Sequence, residues 1–180
     1  MTAALRLFGE RGFEGTTVEA ISAAADVAPR TFFRYFPAKV DVLFADHDDL
    51  VALLRQTLSD RPPGEPIARA VRRATLAGVE RLLDDPSIYL TRSGLADSIP
   101  AASSRSRQLD ADYENVIAAA IAAERGVDPM TDLHARVEAR ALWSASRAAR
   151  QVWLATEGAA DPRRLLNDAF DLVENGFGAG

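Results

Sequence analysis

The residue types that could do chemistry in this 180-residue chain crowd together between Pro29 and Lys39. Arg30, Thr31, Phe33 and Arg34 are flanked by Pro29, Tyr35 and Lys39, and no acidic residue stands between Val27 and Val40. Guanidinium groups form bidentate bonds to guanine edges and phosphates, and aromatic rings pack on thymine methyls or the sugar-phosphate wall. At about 100° per residue on a helix, Phe32 and Phe36 share one face. Arg30 and Arg34 share another, with Thr31 and Tyr35 extending it and Phe33 on its opposite flank. One face suits a core; the other suits the major groove of DNA.

Other constellations offer less. Asp46-His47-Asp48-Asp49 has the residue types of a metal site, but neighbours on a helix point about 100° apart and cannot converge without outside donors. A solvated acidic face is the better reading, and His134 is the only other histidine. There is no cysteine, hence no disulfide framework, thiolate metal site or thiol nucleophile. No G-x-S-x-G, P-loop or G-x-G-x-x-G occurs, so no enzyme activity, cofactor or metal is expected. Beyond Lys39, Tyr89, Tyr113, Trp143 and Trp153 are the large amphipathic side chains, and Arg147 lies one turn from Trp143. Tyr89, Tyr113, Trp143 and Arg147 are candidate ligand contacts, with a core or interface role as the competing reading.

The elements that must position these residues are helical. Alanine, leucine, arginine and glutamate dominate, and no stretch alternates with period two between turn residues. Gly12 and Gly15 close a first helix at about 2–11. Thr16 and Glu19 have the spacing of a capping box for a helix near 17–24. A turn at 25–28 leads to a short helix at 29–36 opened by Pro29, and the pair makes a helix-turn-helix. A long fourth helix is expected at 39–58, ending at Asp60-Arg61-Pro62-Pro63-Gly64. Further helices follow at about 66–83, 86–96, 102–125, 131–157 and 162–176, each separated by Pro or Gly. Residues 1–45 are expected to form the DNA-binding domain and 46–180 a helical ligand-binding and dimerisation domain. The last helix carries Leu165, Leu166, Ala169, Phe170, Val173 and Phe177 on one apolar stripe.

Total charge argues against nucleic acid until it is divided. The net charge is −5, yet residues 1–39 sum to +1 and the remainder to −6. A local basic site thus survives in an acidic protein. With 48% hydrophobic residues, no long apolar run and charged residues throughout the first twenty positions, neither a membrane span nor a signal peptide is expected. A cytoplasmic location follows as an expectation.

The stretch Ala3-Ala4-Leu5-Arg6-Leu7-Phe8-Gly9-Glu10-Arg11-Gly12-Phe13-Glu14-Gly15-Thr16-Thr17-Val18, followed by Ile21, Ala24, Val27, Pro29 to Phe36 and Lys39, strongly resembles the DNA-binding domain of TetR-like bacterial transcriptional repressors. The resemblance covers about a quarter of the chain. It implies a homodimer that joins through its last two helices, reads a palindromic operator and is released by a small-molecule effector. By position it implies that Thr17 meets a phosphate at a helix N-terminus. Arg30, Thr31, Phe33 and Arg34 would face the groove, with Pro29 and Tyr35 at its edges and Lys39 on a phosphate. Phe8, Phe13, Val18, Ile21, Val27, Phe32 and Phe36 would be the small domain's core.

The sequence departs from the family pattern in three places. Asp26 replaces the usual turn glycine, although Asp can visit the left-handed region. Ala28 replaces the usual capping Ser or Thr of the recognition helix. Met1 falls in the first helix's first turn, so either the true start lies upstream or a basic arm is absent, and an absent arm would flatten the salt dependence of binding. The competing function class is a helical small-molecule-binding protein whose helix-turn-helix is only structural, an ordinary αα-corner with solvated arginines.

Overall fold

The computed structural model describes residues 1–176; the expected contribution of Phe177 to the last stripe lies outside them. The described residues hold nine α-helices and one 3-10 helix, joined by turns and short irregular segments, and no strand, as the all-α expectation required. They are α1 (Thr2–Arg11), α2 (Val18–Ala24), α3 (Pro29–Tyr35), α4 (His47–Ser59), α5 (Ile67–Leu82), α6 (Pro86–Ser98), α7 (Pro100–Arg125), α8 (Leu133–Ala155) and α9 (Pro162–Asn175), with the 3-10 helix at Lys39–Phe44. Prolines at the first positions of α3, α6, α7 and α9 reflect a residue whose missing N–H costs nothing there.

The chain divides into two compact units. Unit 1 takes Met1–His47 together with Ser87–Gln108, so α6 and the first turns of α7 belong with the helix-turn-helix. Its core gathers Leu5, Leu7, Phe8, Ile21, Phe32, Val42 and Leu43 with Ile99 and Ala102, all buried. Phe13, Val18 and Phe36 pack partly buried against it. Val27, expected in this core, is instead 40% exposed. It sits at the end of the turn, where its backbone and not its side chain is used.

Unit 2 takes Asp48–Pro86 and the residues from Leu109 onward. Its core is built mostly of small and branched residues, including Val71, Ala74, Ile117, Ala118, Ala139, Leu142 and Leu166, around the fully buried ring of Phe170. The alanines allow close helix approach, and α8 packs most extensively on α9. Asp132 and Asp161 cap these two helices by accepting the backbone N–H of Ala135 at 2.8 Å and of Arg163 at 2.9 Å, the acceptor role expected of an N-cap carboxylate.

Two local expectations need correcting. The long fourth helix at 39–58 is not one helix: Lys39–Phe44 is a 3-10 helix and α4 begins only at His47. Asp41 draws the first segment tight by accepting the Ala38 N–H at 2.8 Å, and Asp46, between the two, is held by a side chain from α6. The cap of α2 is Thr17 and not Thr16. Thr17 accepts the N–H of Ala20 at 3.1 Å, while Thr16 is buried and its hydroxyl reaches the carbonyls of Gly12 and Leu7 at 2.8 and 3.1 Å. A Cβ at Gly15 would run into the Arg11 carbonyl, so the turn carrying Thr16 inward requires glycine.

Candidate nucleic-acid interface

The turn between α2 and α3 follows from its hydrogen bonds. The Val27 N–H donates to Ser22 O at 3.0 Å and the Asp26 N–H to Ala23 O at 3.2 Å, the paired bonds of a Schellman ending. That ending needs a left-handed residue, and Asp26 supplies it with φ 52°. The chain then turns through Ala28, extended and without a side-chain cap, into α3. The N–H groups of Thr31 and Phe32 return to Ala28 O at 2.8 and 3.2 Å.

Within α3 the division of faces is the one the spacing predicts. Phe32 is 5% exposed, with its ring 5.3 Å from that of Phe36 and edge-on to Phe33 at 5.5 Å. Pro29, Arg30, Phe33, Arg34 and Tyr35 are exposed and Thr31 is half-buried. Exposure of Phe33 at 51% and Tyr35 at 65% is costly for large rings in water, and beside two guanidinium groups it makes a surface that is both apolar and cationic. Arg34 is already oriented: it donates to the Tyr35 hydroxyl at 3.1 Å and lies 4.9 Å from the ring centroid. Arg30, one turn earlier, completes the cationic edge. The exposed Thr17 stands at the head of α2, where unpaired N–H groups and the helix dipole favour an anion.

Lys39 has a different setting. Its ammonium donates to Phe13 O at 2.7 Å and Thr16 O at 2.9 Å and stands 4.2 Å above the Phe13 ring. Two of its three donors thus tie the segment after α3 to the turn between α1 and α2.

Two ion pairs that sequence spacing did not show buttress the same segment. Arg92 on α6 forks onto Asp46, with bonds of 2.9 and 2.8 Å, and Arg105 on α7 donates to Asp41 at 2.7 Å. Their partners lie 46 and 64 positions away, a separation that no local spacing marks. Tyr89 joins this unit, with the Arg92 guanidinium 5.2 Å from its ring.

The other ligand candidates meet in unit 2. Tyr113 stacks on Trp143 at 3.9 Å and 10°, and Asp110 accepts from Trp143 Nε1 at 3.0 Å and from Arg147. Asp110 was not singled out from the sequence, yet it is the group that gathers Trp143 and Arg147.

Comparison with known proteins agrees with this geometry. The family model for bacterial regulatory proteins of the tetR family matches residues 1–45, and the model for the MftR C-terminal domain matches residues 65–178. The HTH-type transcriptional regulator TcmR of Streptomyces glaucescens is 30% identical over 156 residues, covering 83% of this chain and 69% of that one. The solved FadR of Thermus thermophilus, a repressor in complex with lauroyl-CoA, superposes with a TM-score of 0.64 at 25% identity, covering 97% of this chain and 91% of its own. FadR of Bacillus subtilis with stearoyl-CoA gives 0.66 at 17% identity, over 97% and 96%. Among the described residues no helix is long and apolar enough to cross a membrane. With most of its length matched by one family's two domain models, the chain belongs to the TetR family of bacterial transcriptional regulators.

Proposed function

We propose that the chain represses transcription as a homodimer that binds a palindromic operator and lets go when a small molecule occupies unit 2. The observation that carries this reading is the exposed face of α3, on which Arg30, Phe33, Arg34 and Tyr35 stand clear of the core that holds Phe32. A two-fold dimer would present two such helices to half-sites one helical turn apart. Support for the dimer comes from α8, where Leu133 is 76%, Val137 57% and Val152 48% exposed. Ser144 and Ala148, also exposed, lie between them, so that the five positions follow one another at steps of four and seven residues. Leu172 on α9, at 49%, adds to the apolar surface that a second copy would cover.

Effector control requires only that the ligand bind better to the arrangement that fits DNA badly. In unit 2 the Tyr113–Trp143 stack sets an extended aromatic surface beside the Arg147 cation, and we assign the effector to it. Tyr89 goes instead with the Arg92 clamp of unit 1. Fatty acyl-CoA, seen in two structural relatives, is the first ligand class to try.

The test is fluorescence anisotropy against the DNA upstream of the chain's own gene, at stated salt and with scrambled competitor. Binding should resist competitor, and Arg34→Ala should weaken it by about 1–3 kcal/mol. Equal loss on scrambled DNA would mean that Arg34 meets phosphate and not base. Failure of the wild type on a selected random pool as well would return the helix-turn-helix to a structural role.

A further inference from the structure

The recognition helix α3 has only seven residues and no side-chain cap, far too short to hold its own direction in water. Its orientation is therefore set by the burial of Phe32 in the core and by what grips its two ends. At the C-terminal end the chain leaves through Phe36, in extended conformation, and Pro37, and the first backbone donor after them is the Ala38 N–H. That donor is held by Asp41 Oδ2 at 2.8 Å. Asp41's other oxygen, Oδ1, accepts from Arg105 Nε at 2.7 Å. The Asp41 side chain is only 12% exposed, so both oxygens are engaged on protein groups, one on the exit of the recognition helix and one on α7.

Arg105 stands on the same side of α7 as Ala102, which is fully buried in the core that contains Phe32. It reaches Asp41 from a helix turn already seated against the helix-turn-helix. A carboxylate this enclosed keeps a fixed direction only while both oxygens are satisfied. Without the guanidinium it would rotate toward water and release the Ala38 N–H, and the link three residues past α3 would loosen.

We infer that Arg105 is a positioning residue for operator reading, acting through Asp41 to fix the direction of α3 although it lies in the α7 segment and outside the recognition face. The inference rests on the DNA-reading function proposed above. It separates two quantities that a purely structural ion pair would move together. Direct base readout depends on α3 being held to within a fraction of an ångström of the base edges, whereas non-specific phosphate attraction tolerates misalignment.

The experiment uses the full chain as wild type, Arg105→Gln, Arg105→Lys and Asp41→Asn. Each is titrated against a duplex selected by the wild type from a random pool and against its scrambled counterpart, with thermal unfolding followed in parallel. Arg105→Gln should lower the selected-to-scrambled affinity ratio about tenfold, the scale of one charge-assisted hydrogen bond. Scrambled-duplex affinity should barely move, and the unfolding midpoint should fall by only a few degrees, the cost of one partner lost by Asp41, leaving the chain folded at the assay temperature. Arg105→Lys should restore most of the ratio, and Asp41→Asn should reproduce the loss. An unchanged ratio, or equal losses on both duplexes with a matching fall in midpoint, would overturn the role of Arg105. A wild type that enriches no duplex would overturn DNA reading itself, a result distinguishable from both.

Discussion

Replacing Arg92 by alanine removes both arms of a forked ion pair and leaves the Asp46 carboxylate without its guanidinium. Hydrogen bonds to charged groups contribute about 1.5–3 kcal/mol each, and stranding one member of a fully buried pair costs about 3–5 kcal/mol. The Arg92 side chain is 9% exposed but that of Asp46 is 33% exposed, so water recovers part of the loss. A cost of about 2 kcal/mol follows. For a chain of this length it should lower Tm by about 4–8 °C. Both tryptophans, Trp143 and Trp153, lie in unit 2, so their emission should follow that unit alone, while far-UV circular dichroism reports both. The early loss should appear in the dichroism. A double-mutant cycle with Asp46→Ala should give a coupling of about 1.5 kcal/mol, because the second substitution removes the stranded charge. Effects that add to within about 0.5 kcal/mol would refute the reasoning.

Other expectations are simpler to read. Asp26→Gly should stabilise the protein by about 0.5–1 kcal/mol in denaturant titration, since glycine enters the left-handed region without the Cβ penalty and the Asp26 backbone bonds are kept. Val137→Asp, in the middle of the exposed α8 stripe, should halve the sedimentation mass at micromolar concentration while leaving the helical signal unchanged. Glu80 accepts two bonds from Arg163, at 2.5 and 2.6 Å, and these hold its carboxyl below the ordinary glutamate range. A depressed carboxyl pKa stabilises the fold above the unfolded value and loses that contribution as pH falls through the folded one. Arg163→Gln should bring the Glu80 midpoint back up in an NMR titration of side-chain carboxyls, and an unmoved midpoint would deny the interaction.

The sequence reading was most accurate where structure is local. Proline and glycine marked the helix ends, and the angular separation of Phe32 and Phe36 from Arg30 and Arg34 sorted core from surface on α3 because a helix fixes those angles. The two adjacent threonines show the limit of local reading. Both have capping chemistry, and the one-residue difference was decided by the lack of space at Gly15, which places Thr16 inside. The break between Lys39–Phe44 and α4 was invisible for another reason. Nothing within 39–58 forbids a single helix; the segment is tightened by Asp41 and anchored by Asp46 to arginines that arrive only after two further helices. Asp110 was missed likewise, since its importance lies in partners more than thirty positions away. Pairings at that separation are properties of the fold and leave no spacing to read.

Lys39 is the chain's single lysine, and its ammonium serves as a staple between the segment after α3 and the α1–α2 turn. Selective acylation of side-chain amines therefore has one address in the whole protein. Neutralising that amine would strip two carbonyls of their donor and remove the cation above the Phe13 ring. The rate at which the residue reacts becomes a clock for the opening of the helix-turn-helix, read by mass spectrometry on the unmutated chain. Bound DNA should slow it by holding α3 in place, whether or not a phosphate ever touches the lysine.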